Sequence, residues 1–153
     1  MLYVELEGTD TTGKTTTCRE VCRLLSDAGY NAAVVPPARE LLPGFMERLE
    51  ALDPITLIDH ELDGYRTRRL WAASTDFQIA LIDRGLMTLA ASSRARLLQA
   101  EYSQSDAQSL VVDKFAALPP ITTPTRRYLL SYDNRSISEA LAIFKSREEA
   151  PLS

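Results

Sequence analysis

Residues Gly8-Thr9-Asp10-Thr11-Thr12-Gly13-Lys14-Thr15 match the pattern G-x-x-x-x-G-K-[ST] at every fixed position. Each fixed residue type answers a need of phosphate binding. The loop must curl around phosphate oxygens and turn successive backbone N–H groups inward, and Gly8 and Gly13 permit those turns. Lys14 can carry a mobile cation toward the outer phosphates, and the Thr15 hydroxyl can ligate Mg²⁺. A helix beginning near Lys14 would aim its positive dipole end at the same anion.

A second group of residues suits the same chemistry. Asp83 closes the apolar run Phe77–Ile82. At the end of a buried strand its carboxylate can act on a metal through water or accept a proton from a substrate hydroxyl. Arg84 beside it can clamp phosphate or offset charge developing during transfer. Alone, an Asp-Arg pair reads equally as a surface ion pair, and the phosphate loop is what makes it a candidate. Asp10 lies inside the loop, where a carboxylate aimed at phosphate gains nothing. It either points toward an acceptor or stiffens the loop as an Asx-turn. Arg39 follows the second strand at the same sheet edge. Arg66, Arg68 and Arg69 form a basic helical stretch beside Tyr65 and Trp71. That stretch could hold an acceptor, or be a solvated face, and spacing alone does not choose which residues point inward.

These residues need a frame, and the sequence supplies alternating elements. A strand over Leu2–Glu7 leads into the loop, and a helix follows over Lys14–Ala28. Its apolar positions Cys18, Val21, Cys22 and Leu25 recur at helical spacing, and Gly29 ends it. Asn31–Val35 reads as a second strand. Arg39–Leu52 is helical with a break at Pro43-Gly44. Asp53 and Pro54 open a helix to about Ser74 as N-cap and first helical residue. After the Phe77–Ile82 strand come helices over Leu86–Tyr102 and Ser105–Leu118. A strand over Arg127–Tyr132 and a last helix to about Ala150 complete the reading. Strands alternating with helices predict an α/β three-layer sandwich, a parallel sheet with helices on both faces. Ligands bind beyond the carboxyl ends of such strands, where the phosphate loop and Asp83-Arg84 both fall. No composition shift divides residues 1–153, which read as one domain.

Composition narrows the function classes. The 153 residues are 45% hydrophobic and 25% charged, within the range of a globular domain. A net charge of −4 argues against general affinity for nucleic acid or an anionic membrane. No stretch approaches the ~20 apolar residues that span a bilayer. The N-terminus has no basic and apolar leader pattern, which argues against secretion. The two cysteines, Cys18 and Cys22, share a helix face and read as small buried hydrophobes. Together these features predict a cytoplasmic protein. His60, the one histidine, shows no partner in sequence.

Three segments resemble the thymidylate kinase branch of the P-loop nucleoside monophosphate kinases. Glu7–Thr16 is similar to that family's phosphate loop, Asp10 included. Leu81-Ile82-Asp83-Arg84-Gly85 is similar to its strand-ending Asp-Arg-Tyr. Tyr128–Asp133 with the Ser138–Arg147 helix resembles the approach to its arginine-bearing lid. The resemblance implies the P-loop NTPase fold and transfer of the ATP γ-phosphoryl group to a nucleoside monophosphate, with Mg²⁺. It implies that Gly8, Thr9, Thr11, Thr12 and Gly13 cradle the donor phosphates with Lys14, Thr15 and Thr16, and that Arg147 is a lid arginine. Thr15 and Asp83 would serve the metal. Lys14, Asp10, Asp83 and Arg84 would carry the chemistry. Asp10, Arg39, Arg68, Arg69 and Arg84 would face the acceptor. Homodimerisation through helices beside the acceptor is a further expectation. The chain departs from the family where Gly85 replaces an aromatic residue and where Ala72-Ala73-Ser74 replaces Ala-Asp-Arg. Ser153 falls where the lid should begin.

The expected activity is therefore ATP-dependent phosphoryl transfer to a dTMP-like nucleotide or a related small hydroxyl or phosphate acceptor. The alternatives are a nucleotide-binding regulatory or partner protein with little turnover, and an NTPase that drives a partner. Neither a water-positioning motif nor a guanine-reading Asn-Lys-x-Asp supports the last.

Overall fold

The apolar segment after Met1 becomes the strand on which the rest is hung. A computed structural model describes residues 1–9, 12–120 and 122–130. The strands are β1 (Leu2–Glu7), β2 (Ala32–Val34), β3 (Ile79–Asp83) and β4 (Thr125–Leu129). The helices are α1 (Lys14–Asp27), α2 (Ala38–Leu41), α3 (Phe45–Ala51), α4 (Pro54–Ala73), α5 (Leu86–Gln99) and α6 (Gln104–Ala116). The sheet order is β2-β3-β1-β4, and every pairing is parallel. Parallel neighbours require crossovers, which the helices provide.

Alternation along each strand gives the sheet two covered faces. Leu6 and Leu81 point to one face and meet Cys18, with Val21, Cys22 and Leu25 of α1 packed around them. Tyr3, Ala80 and Ile82 point to the other and meet Ala72 of α4. The chain thus has the predicted α/β architecture of a parallel sheet between helix layers.

A third cluster lies apart from the sheet. Ile58 and Leu62, in the first half of α4, pack against Leu97 of α5 and against Ala107 and Val111 of α6. So the second half of α4 covers the sheet, while its first half stands with α5 and α6 beyond the strand ends. Asp53 starts α4 as predicted: its carboxylate accepts from the N–H groups of Ile55 and Thr56, each at 3.0 Å. Gly64 lets α2 and α3 close on α4, since a Cβ there would lie 2.8 Å from the Phe45 ring.

Several element bounds differ from expectation. The last described strand runs Thr125–Leu129 rather than Arg127–Tyr132, because its register follows Tyr3–Glu7 of β1. Helix α6 begins one residue earlier than predicted, because the Ser103 hydroxyl accepts from the N–H of Asp106. The predicted last helix lies outside the described residues. His60 has partners that sequence did not reveal: it stacks on Phe45, centroids 4.3 Å apart, with Nε2 2.9 Å from the Phe45 carbonyl oxygen. Among the described residues no helix is long and apolar enough to cross a membrane.

Candidate active site

The phosphate loop joins β1 to α1, and its glycines are needed for two different reasons. Gly13 caps α1 with φ 78°, in the left-handed region that glycine adopts without strain. Gly8 has φ 140°, and a Cβ there would lie 2.6 Å from the Leu130 carbonyl oxygen. Lys14 is buried, with its ammonium turned into the loop, where it donates to the Thr9 carbonyl and approaches Thr12 Oγ1 at 3.4 Å. The Thr12 hydroxyl donates to the same Thr9 carbonyl at 2.8 Å. Thr16 is exposed in the first turn of α1.

The loop meets β3 through one side-chain contact. The Thr15 hydroxyl donates to Asp83 Oδ2 across 68 residues of chain. The other carboxylate oxygen, Oδ1, is buried and has no hydrogen-bond partner among the described residues. An orphaned carboxylate oxygen beside a threonine hydroxyl at a phosphate loop is a hard-oxygen donor set that fits Mg²⁺. Mg²⁺ usually takes one or two protein oxygens and completes its shell with water and substrate phosphate. Among the described residues no three His, Cys, Asp or Glu side chains converge.

Arg84 follows with φ 64°, an uncommon conformation for a residue with a Cβ, of the kind that collects at functional turns. Two contacts hold the turn. The Arg84 N–H donates to the Leu6 carbonyl at 3.0 Å. From the other side comes Arg68, whose buried guanidinium donates to the carbonyls of Pro36 at 3.0 Å, Asp83 at 2.9 Å and Arg84 at 3.3 Å. Burial is the main influence on Arg68 and pulls its pKa down, while the Asp83 carboxylate opposes that shift.

Two clefts of about 680 Å³ each open at this sheet edge, a size suited to a small ligand. The first has Thr15, Asp83 and Arg84 at its base, Arg39 and Arg19 at its side, and Phe45 and Leu49 on an apolar wall. The second runs from Gly8, Thr9 and Thr12 past Met87 to Leu129. Arg84 lines both.

The predicted site residues thus divide. Lys14, Thr15, Asp83, Arg84 and Arg39 stand around the loop and first cleft. Arg68 borders that cleft, but backbone carbonyls occupy its fork. Instead of offering a free acceptor clamp, it ties the ends of β2 and β3 together. Arg69 lines neither cleft. Its guanidinium stacks 3.6 Å from the Tyr3 ring centroid and reaches Glu5 and Thr125, because adjacent helix residues point ~100° apart. Asp10, Thr11 and Arg147 lie outside the described residues.

Sequence reasoning missed a carboxylate pair beneath the site. Glu5 and Glu7 are fully buried on one face of β1. Glu7 accepts from the N–H groups of Met87 (3.1 Å) and Thr88 (2.8 Å), placing its charge at the positive end of α5. The Thr88 hydroxyl donates to Glu7 and accepts from the Gly8 N–H at 3.2 Å, which ties the start of the loop to α5. Glu5 accepts from Tyr65 and from Arg127 Nε, the latter at 2.7 Å. Gly85 makes room for both carboxylates, since a Cβ there would lie 2.5 Å from Glu7 and 2.6 Å from Glu5. The available signal was two glutamates at i, i+2 in a strand that the fold class buries on both faces. Cys18, under α1, has its pKa pushed up to about 12, chiefly by burial and then by the charge of Asp83. It stays a neutral thiol that packs.

Comparison with known proteins agrees on the architecture. No protein-family model matches the chain, and no curated protein matches it in sequence. Among solved structures, the thymidylate kinase from Ehrlichia chaffeensis superposes with a TM-score of 0.60 at 16% identity, covering 96% of this chain and 82% of that one. The chain has the P-loop NTPase fold. At that identity the likeness is one of fold, and the chemistry has to be argued from the site itself.

Proposed function

We propose that this chain is a P-loop nucleotide kinase that moves the γ-phosphoryl group of ATP to a nucleoside monophosphate of the thymidylate type or a related small acceptor. The contact between Thr15 and Asp83, with Asp83 Oδ1 unpartnered among the described residues at a phosphate loop, carries this reading. The superposition on a thymidylate kinase supports the choice of acceptor class.

In this reading the Gly8–Thr15 backbone and Lys14 hold the donor phosphates, with Thr9, Thr11, Thr12 and Thr16 along the same loop. Thr15 and Asp83 hold Mg²⁺, which when bound neutralises the donor phosphates. An acceptor oxygen bonds to the γ-phosphorus as the bond to the β–γ bridging oxygen breaks, and ADP leaves with that oxygen. Arg84, lining both clefts, faces the charge that moves between them. Arg39 and Arg19 offer cations to an anionic acceptor. Asp10 meets the acceptor sugar, and Arg147 belongs to a lid. In this reading the protein works in the cytoplasm, a reducing compartment in which Cys18 and Cys22 would remain thiols.

The test is to incubate the protein with Mg²⁺ and γ-labelled ATP against a panel of nucleosides and nucleoside monophosphates. Label in one acceptor is the expected result. Label in inorganic phosphate alone, independent of acceptor, would replace the reading with an NTPase. Bound ATP with no label transferred would favour a nucleotide-binding regulatory protein.

A further inference from the structure

The first cleft carries charge at its base and at one side, where Asp83, Arg84, Arg39 and Arg19 line it, and a further charged pair stands beside the apolar Leu89. Arg96 of α5 donates to Glu61 Oε2 of α4 at 2.6 Å, and both side chains stand on the wall that this cleft shares with the second. Glu61 is only 9% exposed. Its neighbours in the fold, Ile58, Leu62 and Leu97, are core residues. An ion pair so placed contributes little to stability that an apolar pair of similar volume would not. In a cleft, a few placed polar groups are what orient a ligand.

The position of the pair suits one part of a ligand. Glu61 lies seven residues from Arg68, on the same face of α4 and about 10 Å along its axis. Arg68 marks the level of the strand ends, through its bonds to Asp83 and Pro36. Arg96 likewise lies two turns along α5 from Leu89, which lines the same cleft. Two helix faces therefore climb from the phosphate end of the cleft and meet at a carboxylate beside a guanidinium. That separation matches the one between the phosphate of a nucleoside monophosphate and the edge of its base.

We propose that Glu61 and Arg96 read the base edge of the acceptor, an inference that rests on the kinase reading above. The carboxylate accepts and the guanidinium donates, so the best complement is an edge with a ring N–H beside a carbonyl. Thymine, uracil and guanine present that lactam edge. The bases of adenylate and cytidylate present an amino group beside a bare ring nitrogen. Arg96 uses one Nη on Glu61, and its remaining N–H donors can reach the carbonyl.

The experiment compares kcat/KM for thymidylate, uridylate, guanylate, adenylate and cytidylate in the wild type, in Glu61→Gln, and in the reversed pair Glu61→Arg/Arg96→Glu. Glu61→Gln should raise KM for lactam-edge acceptors about tenfold or more while KM for ATP stays unchanged. The reversed pair should keep Tm near wild type yet lose the preference for lactam over amino edges. The three lactam acceptors among themselves show whether the site takes pyrimidines or guanine. A reversed pair that folds and keeps the wild-type preference overturns the inference, as does an equal loss with all five acceptors in Glu61→Gln. A wild-type protein that phosphorylates no acceptor defeats the kinase reading itself, and this inference with it.

Discussion

Arg68 donates a hydrogen bond to the backbone carbonyl of Asp83 at 2.9 Å, so a cation from α4 holds in place the residue whose carboxylate meets the phosphate loop. The same fork reaches Pro36 and Arg84. The site's geometry therefore depends on a side chain that offers it no charge directly. Arg68→Met leaves several buried carbonyls without donors and should lower unfolding stability by about 3 kcal/mol or more. Arg68→Lys keeps the charge but not the planar fork and should recover only part of that loss. Denaturant midpoints check both. Full stability in Arg68→Met would show that the fork does not hold the turn.

Gly85 marks a limit on how this chain can vary. A methyl group there meets Glu5 and Glu7 at 2.5–2.6 Å, and both carboxylates are fixed by other bonds. Gly85→Ala should destabilise the fold by roughly 1–3 kcal/mol, as overpacking does. Gly85→Tyr, which adds a whole ring at the same place, should be worse. Thermal unfolding of the two variants decides, and a stable Gly85→Tyr protein would contradict the packing described here.

The orphaned Asp83 oxygen predicts a metal phenotype. Thr15→Val and Asp83→Asn should each raise the Mg²⁺ concentration needed for half-maximal activity by at least about 10–100-fold, the range seen even for partners one shell removed from a metal. A Mg²⁺ titration of initial rates reads this directly. An unchanged titration in both variants would remove these residues from the metal site.

Alkaline pH should weaken the fold through Cys18 and Tyr65. The thiol's ordinary pKa is 9.0 and burial, helped by Asp83, raises it to about 12 in the folded chain. Burial and the bond to Glu5 also raise Tyr65. Above pH 9 the unfolded chain releases the thiol proton that the folded chain keeps, so folding loses stability from pH 9 toward pH 12. Below pH 9 the contribution is fully present. Denaturant midpoints should fall in that window, and less steeply in Cys18→Ala. An equal fall in both proteins would assign the effect elsewhere.

Much of this arrangement is legible in sequence because it rests on local rules. The glycines of the loop, the Asp53 cap and Asp83 at the end of an apolar run each follow from residue type and immediate neighbours. What stayed hidden depends on which helix face meets which strand. Arg68 and Arg69 are adjacent in a basic run, yet one ties strand ends together and the other stacks on Tyr3 inside the sheet layer. Glu5 and Glu7 look out of place until Tyr65, Arg127 and Thr88 arrive from other elements. The Glu61–Arg96 pair needs two helices to project beyond the sheet together, which no local pattern announces.

The central claim is that Gly8–Thr15, completed by Asp83, is a phosphoryl-transfer site. Lys14→Ala tests it most directly, with ATP affinity and acceptor labelling measured beside wild type and folding checked by circular dichroism. The account predicts a folded variant with ATP affinity or transfer reduced by at least about 10²-fold. A folded Lys14→Ala protein that binds ATP and labels the acceptor as wild type does would contradict it.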